Sequence, residues 1–312
     1  MELIEGVALS NLCDYSFGDQ SGKWGNIYTS FMKDASLINV EFVSKLFEVK
    51  KSRNYMTLFI DNIRLYKRYI EEVSDSDRSY VDSLHAKSDL LNLCVNFPDM
   101  KFIIFTNLED TPTDDYIFDV IPENVLCISA VNAVSHGEKV IPSPYGLQRR
   151  MTPQDNRIET IKELMTFPDP QDLNLLYVSH NENSHSDRVG TKSLFENKEW
   201  AIVDTERVEY RDFLSKLKGC KFMLCPRGNA IDCHRNWEVL YMKRVPVMKR
   251  YPYLEVLFKD YPVLFVDDYK EVTEELLIEN DYLFENIQDF DISKLTLPYF
   301  FDSIVEKSLK NK

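Results

Sequence analysis

Short, unbroken apolar runs recur along this chain, each followed by a polar loop and then by residues of helical periodicity. Met56 to Ile60, Phe102 to Phe105, Val125 to Ser129, Leu175 to Val178, Trp200 to Val203, Phe222 to Cys225, Val245 to Met248 and Val263 to Val266 are such runs. Strands this continuously apolar are covered on both faces, which is the condition of a parallel sheet. Segments Asn26 to Phe47, Asn62 to Val73 and Val81 to Val95 carry the pattern of the covering helices. Val7 to Asn11 reads as the first strand, ending in the polar loop from Cys13 to Gln20. Strand and helix alternate in both halves, so the expectation is an α/β chain of doubly wound parallel sheets.

Between Ile141 and Asp172 the rhythm breaks. Pro142, Pro144, Pro153, Pro168 and Pro170 punctuate one short helical pattern, Arg157 to Met165, as in an interdomain linker. With 312 residues, two domains of about 150 are expected. The division falls into an N-terminal Rossmann-like domain, residues 1–150, and a C-terminal Rossmann-like domain, residues 151–312, with the last helix returning to the first.

The formal charge of −14 argues against a nucleic-acid partner, because neutralising phosphates needs a basic surface. It argues equally against anionic membranes. No apolar stretch approaches the roughly 20 residues of a bilayer span. The start, Met-Glu-Leu-Ile-Glu-Gly-Val-Ala-Leu, lacks the basic flank of a signal peptide, so a soluble cytoplasmic protein is expected. The six cysteines are scattered, mostly in apolar runs, and read as buried thiols.

Residues 221–248 form the densest block. An apolar run (Phe222 to Cys225) leads through the turn Pro226-Arg227-Gly228 into a helical pattern holding Arg235 and Glu238, and then into a second run, Val245 to Met248. A β-loop-α-β unit aims backbone N–H groups beyond the strand end and favours an anion there. Arg227 and Arg235 would suit a diphosphate, and Glu238, one turn on, a pair of ribose hydroxyls. On spacing alone, arginines that merely cap a helix fit as well.

Pro-Arg-Gly, then Asp-x-x-Arg-x-x-Glu, then Val-Pro-Val resembles the signature of the exostosin-like glycosyltransferases, family forty-seven. The likeness is specific over residues 221–248, thinner over 174–280 and weak in the N-terminal half. Where that signature places Gly-Cys before Val-Pro-Val, this chain has Lys243-Arg244. The resemblance implies a GT-B fold and an inverting, metal-independent transfer from a nucleotide sugar, a UDP-sugar such as UDP-xylose, to a glycan acceptor. The eukaryotic members carry an N-terminal Golgi anchor, and relatives in large DNA viruses act in the host cytoplasm; with no anchor read in the start here, a viral or bacterial relative or a trimmed chain is expected.

Donor contacts are expected from Arg188, Arg227, Gly228, His234, Arg235 and Glu238. A solvated loop remains the other reading of residues 180–188, and a satisfied helix residue that of His234. Asn229 and Asp232 have the spacing of a helix cap, and Trp237 reads as core. The acceptor's proton needs a base, sought in loops after N-terminal strands: Asp14 first, then Asp19, with Tyr15 and Phe17 beside them to stack on a sugar. A lone loop aspartate is also a common turn residue. Asp75-Ser76-Asp77 reads as a solvated turn and Cys225, Cys233 and His234 lack zinc-site spacing, so no metal and no cofactor are expected. The rival readings are a catalytically inactive glycan-binding or scaffold protein of the same fold, and another sugar-phosphate enzyme.

Overall fold

The structure, a computed structural model, describes residues 3–4, 8–17, 40–61, 94–107, 121–133, 139–148 and 156–310. The chain divides into two compact units. One comprises residues 2–145 together with 296–312, and the other residues 146–295.

In the first unit, β1 (Tyr15–Phe17), β2 (Tyr55–Asp61), β3 (Lys101–Asn107), β4 (Val125–Ala130) and β5 (Val140–Pro142) form one parallel sheet in that order. Met56, Leu58 and Ile60 of β2 and Phe102 to Phe105 of β3 have no solvent exposure, as their unbroken apolar sequence requires. Helix α1 (Val40–Lys50) buries Phe42, Leu46 and Val49, a stripe spaced four and three residues apart. The C-terminal helix, Leu297–Lys310, belongs to this unit: Phe301 stacks on Phe105 with ring centroids 4.9 Å apart.

Three expectations change here. Val7 to Asn11 does not provide the first strand. Residues Ala8–Leu12 wind as a 3-10 helix with Leu9 and Ser10 buried, and the strand begins at Tyr15. Ser10 and Asn11 interrupt the apolar run, which is too short and polar for a fully covered strand. Second, the described strands of this sheet succeed one another without reversal, so the doubly wound order is not seen in it. Third, the helix expected over Asn26 to Phe47 is described only from Val40, and it continues to Lys50. Residues 62–93 lie outside the described residues.

The second unit has β6 (Asn174–Val178), β7 (Ala201–Val203), β8 (Cys220–Leu224), β9 (Val245–Lys249) and β10 (Leu264–Val266), all parallel, in the order β10-β9-β8-β6-β7. The direction of progress reverses between β6 and β8, so this sheet is doubly wound and has a topological switch point beyond Val178 and Leu224. Helices α2 (Arg157–Leu164), α3 (Tyr210–Lys218) and α4 (His234–Tyr241) belong to the same unit. Helix α3 buries Phe213, Leu214 and Leu217 and carries Lys216 and Lys218 in its last turn, where cations suit the helix dipole.

The turn from α4 into β9 holds Lys243 and Arg244. Lys243 has φ +54°, the left-handed region where glycine costs nothing. Its ammonium donates to Gln288 O, and Gln288 Nε2 donates back to Lys243 O at 3.0 Å. Arg244 is wholly buried, donates to the carbonyls of Met242, Lys243 and Lys218, and pairs with Asp169 at 2.8 Å. All six cysteines are free thiols; burial pushes Cys127 and Cys220 up to about 12. No helix among the described residues is long and apolar enough to cross a membrane.

Candidate functional site

A cavity of about 820 Å³ opens beyond the carboxyl ends of β6 and β7, beside the switch point. Residues 179–183 after β6, residues 205–210 leading into α3, and Arg235 and Glu238 of α4 line it, with Arg157, Lys192 and Phe213. Loops after strand ends are where ligands of open α/β sheets bind.

Helix α4 is set locally. Asp232, wholly buried, accepts from Asn236 Nδ2 at 2.9 Å and Trp237 Nε1 at 2.8 Å, so its carboxylate ties down the first turn. Trp237 and Leu240 are core. His234 Nδ1 meets Gly146 O at 2.7 Å and therefore donates to it; Tyr241 OH donates to Leu295 O at 2.6 Å. Both ends of the helix are thereby anchored, and Arg235 and Glu238 reach the cavity from its first two turns.

Glu238 is buried and its two oxygens have different partners. Oε1 accepts from Tyr210 OH at 3.0 Å, and Oε2 sits 3.1 Å from Arg235 Nε. Arg235 sends Nη1 to Ser179 O at 2.9 Å and lies flat on Phe213, its Cζ 3.8 Å from the ring centroid. Burial and the neighbouring carboxylate raise the Tyr210 phenol well above its ordinary value, so it stays protonated and the donor. Tyr210 is absent from the expected site residues, yet it holds the central carboxylate.

His180 is a second unexpected member. Thr191 Oγ1 gives its proton to Arg188 O at 2.8 Å, so His180 Nε2, 2.7 Å from that hydroxyl, is the donor between them. Nδ1 then carries a bare lone pair, buried without a hydrogen-bond partner. Burial, reinforced by Arg188, Lys192 and Arg235, lowers this imidazole to about 3, so the ring is neutral.

Arg188 lies on a 3-10 turn, Ser186–Arg188, and threads its guanidinium into the Pro-Arg-Gly turn. Nε donates to Arg227 O at 2.8 Å, Nη2 to Pro226 O at 3.0 Å and Nη1 to Asn181 O at 3.3 Å. A Cβ on Gly228 would stand 3.3 Å from Nη2. Arg188 thus shapes the turn with its N–H groups and lends the region charge. Arg227 donates to Asn229 O at 2.9 Å and rests against the Tyr251 ring. Neither Arg188 nor Arg227 has an ion pair with a carboxylate among the described residues. The cationic region is extended by Lys249, 3.9 Å from Asp187.

Three of the residues expected in the N-terminal half are described, all in the first unit. Asp14 precedes β1 and so sits at the amino end of its strand, opposite the edge where ligands bind. Its Oδ2 accepts from Thr57 N at 2.8 Å and Thr57 Oγ1 at 2.9 Å, and Oδ1 pairs with Arg53. That is a clamp between segments, and it corrects the placement of Asp14 in a loop after the first strand. Tyr15 and Phe17 pack with Phe42 of α1, at centroid distances of 5.3 and 5.4 Å, and Phe17 is buried. Asp19 lies outside the described residues.

Among the described residues, no cluster of three histidine, cysteine or acidic side chains has the geometry to hold a metal ion. No family model matches the chain, and no curated protein matches it either.

Proposed function

We propose that this chain is an inverting glycosyltransferase of GT-B architecture, moving a sugar from a nucleotide-sugar donor to a glycan hydroxyl without a metal ion. The donor is a UDP-sugar, UDP-xylose among the candidates. The observation that carries the reading is the half-engaged pair of Arg235 and Glu238 in the wall of a large cavity at the switch point. A carboxylate accepts about four hydrogen bonds; Glu238 accepts one from Tyr210 on Oε1, and Arg235 Nε stands 3.1 Å from Oε2. The two remaining sites match two adjacent hydroxyls, as on a ribose. The spare N–H groups of Arg235, with the charge of Arg188 and Arg227, suit a diphosphate.

Transfer is then a single displacement. An acceptor oxygen attacks the anomeric carbon, the bond from that carbon to the diphosphate oxygen breaks, and the diphosphate leaves with both electrons. Preorganised positive potential at that oxygen lowers the barrier, as fixed donors do at other developing anions. The acceptor's proton passes to a base, for which Asp19 remains the nominee from the sequence, since Asp14 is committed to Thr57 and Arg53.

The test is thermal denaturation with UDP, GDP, ADP and UDP-sugars, with and without a chelator. A ligand at a hundred times its dissociation constant stabilises by about 2.7 kcal/mol. One nucleoside diphosphate should raise the melting temperature regardless of chelator, and Glu238→Ala and Arg235→Ala should each abolish the shift. No shift with any nucleotide at millimolar concentration would turn the assignment toward a glycan-binding protein.

A further inference from the structure

Arg235 and Glu238 are three residues apart on α4, a spacing at which arginine and carboxylate readily close into a two-pronged pair. Such a pair would satisfy both groups and leave the cavity wall inert. In the structure each group also has a second partner. Nε comes to 3.1 Å from Oε2, while Nη1 donates to Ser179 O at 2.9 Å and Tyr210 OH donates to Oε1 at 3.0 Å.

Tyr210 is built to stay in place. It is the first residue of α3, its ring stacks on Phe213 one turn further on, and the Arg157 guanidinium lies over it at 5.3 Å. Phe213 in turn stacks on Tyr177 of β6 and lies under Arg235. The phenol oxygen is therefore fixed by a row of rings rooted in the sheet.

We propose that Tyr210 is a positioning residue that wedges Glu238 open, keeping the carboxylate from closing on Arg235 and so setting the site's selectivity for a ribose over a 2′-deoxyribose. The proposal rests on the nucleotide-sugar reading of this cavity. Without the phenol, Oε1 would turn to the nearest spare donor, an Arg235 N–H, and the lone pairs facing the cavity would be lost with it. A site made to hydrogen-bond a hydroxyl rejects the ligand lacking it, because its own polar groups are left unpaired. A site already collapsed upon itself has nothing left to reject with.

The experiment measures dissociation constants of UDP and 2′-deoxy-UDP, and of GDP and 2′-deoxy-GDP, for the wild-type chain and for Tyr210→Phe. Phenylalanine keeps the ring that Phe213 and Arg157 pack on, and a urea titration of each protein confirms folding. Wild type should prefer the ribonucleotide by about tenfold or more. In Tyr210→Phe that ratio should fall toward one, through weaker ribonucleotide binding, with 2′-deoxynucleotide binding little changed. A variant that loses stability but keeps the ratio would show that Tyr210 only satisfies a buried carboxylate, and would overturn the inference while leaving the functional reading intact. Absence of binding by either diphosphate to the wild-type chain would overturn both.

Discussion

Arg244 Nη2 lies 2.8 Å from the carboxylate of Asp169, and the arginine side chain has no exposure to solvent at all. Three backbone carbonyls accept from Nη1 and Nη2, while Nε is buried with no hydrogen-bond partner. An ion brought this far from water depends on the partners it has, and a buried carbonyl left without its donor costs about 1–3 kcal/mol. Arg244→Ala should lose about 3 kcal/mol or more in a urea titration, since three carbonyls lose their donor together while Asp169 keeps Lys218.

Lys243 tests the backbone next to it. A non-glycine residue at φ +54° bears about 1–2 kcal/mol of strain. Lys243→Gly relieves it but gives up the ammonium's bond to Gln288 O, so the stability should change by less than about 1 kcal/mol. Lys243→Ile, β-branched in the same conformation, should be destabilised by more than about 1 kcal/mol. Equal stability of the two variants by urea denaturation would refute this account of the turn.

His180 should leave a pH signature. Its folded value of about 3 lies below that of the unfolded chain, which titrates near 6.5. Below that pH the unfolded state takes up a proton that the folded state refuses, so its contribution is present above about pH 6.5 and declines as pH falls toward 3. From pH 7 to 5 the wild-type chain should lose about 1–2 kcal/mol more than His180→Gln, read as the difference between paired urea titrations.

Gly228 faces the Arg188 guanidinium at a distance that leaves a methyl group too little room. Arg188 cannot simply swing aside, because Pro226, Arg227 and Asn181 carbonyls hold it. Gly228→Ala should therefore cost about 1 kcal/mol by overpacking and weaken nucleotide binding, measured by calorimetric melting with and without UDP.

The second sheet was legible because each of its central strands holds an unbroken apolar run: Phe222, Met223 and Leu224 are all without exposure. The first strand was not, because Tyr15-Ser16-Phe17 is three residues long and has no period to detect. That shift of a few residues carried Asp14 from one end of the sheet to the other. Arg235 and Glu238 could be read together because a helix makes neighbours of residues three apart. Tyr210 reaches Glu238 from 28 residues upstream, and the bare nitrogen of His180 exists only because a hydroxyl 11 residues away spends its proton elsewhere. No local pattern encodes such meetings.

The anchoring of α4 at both ends has one more consequence. Gly146 and Leu295, the carbonyls held by His234 and Tyr241, are the residues where the chain enters and leaves this unit. Eight helical residues span about 12 Å, so entry and exit are moored to opposite ends of one short rod. The unit is thus an insertion within the sequence of the other, and both of its leads are tied to the helix that presents Arg235 and Glu238.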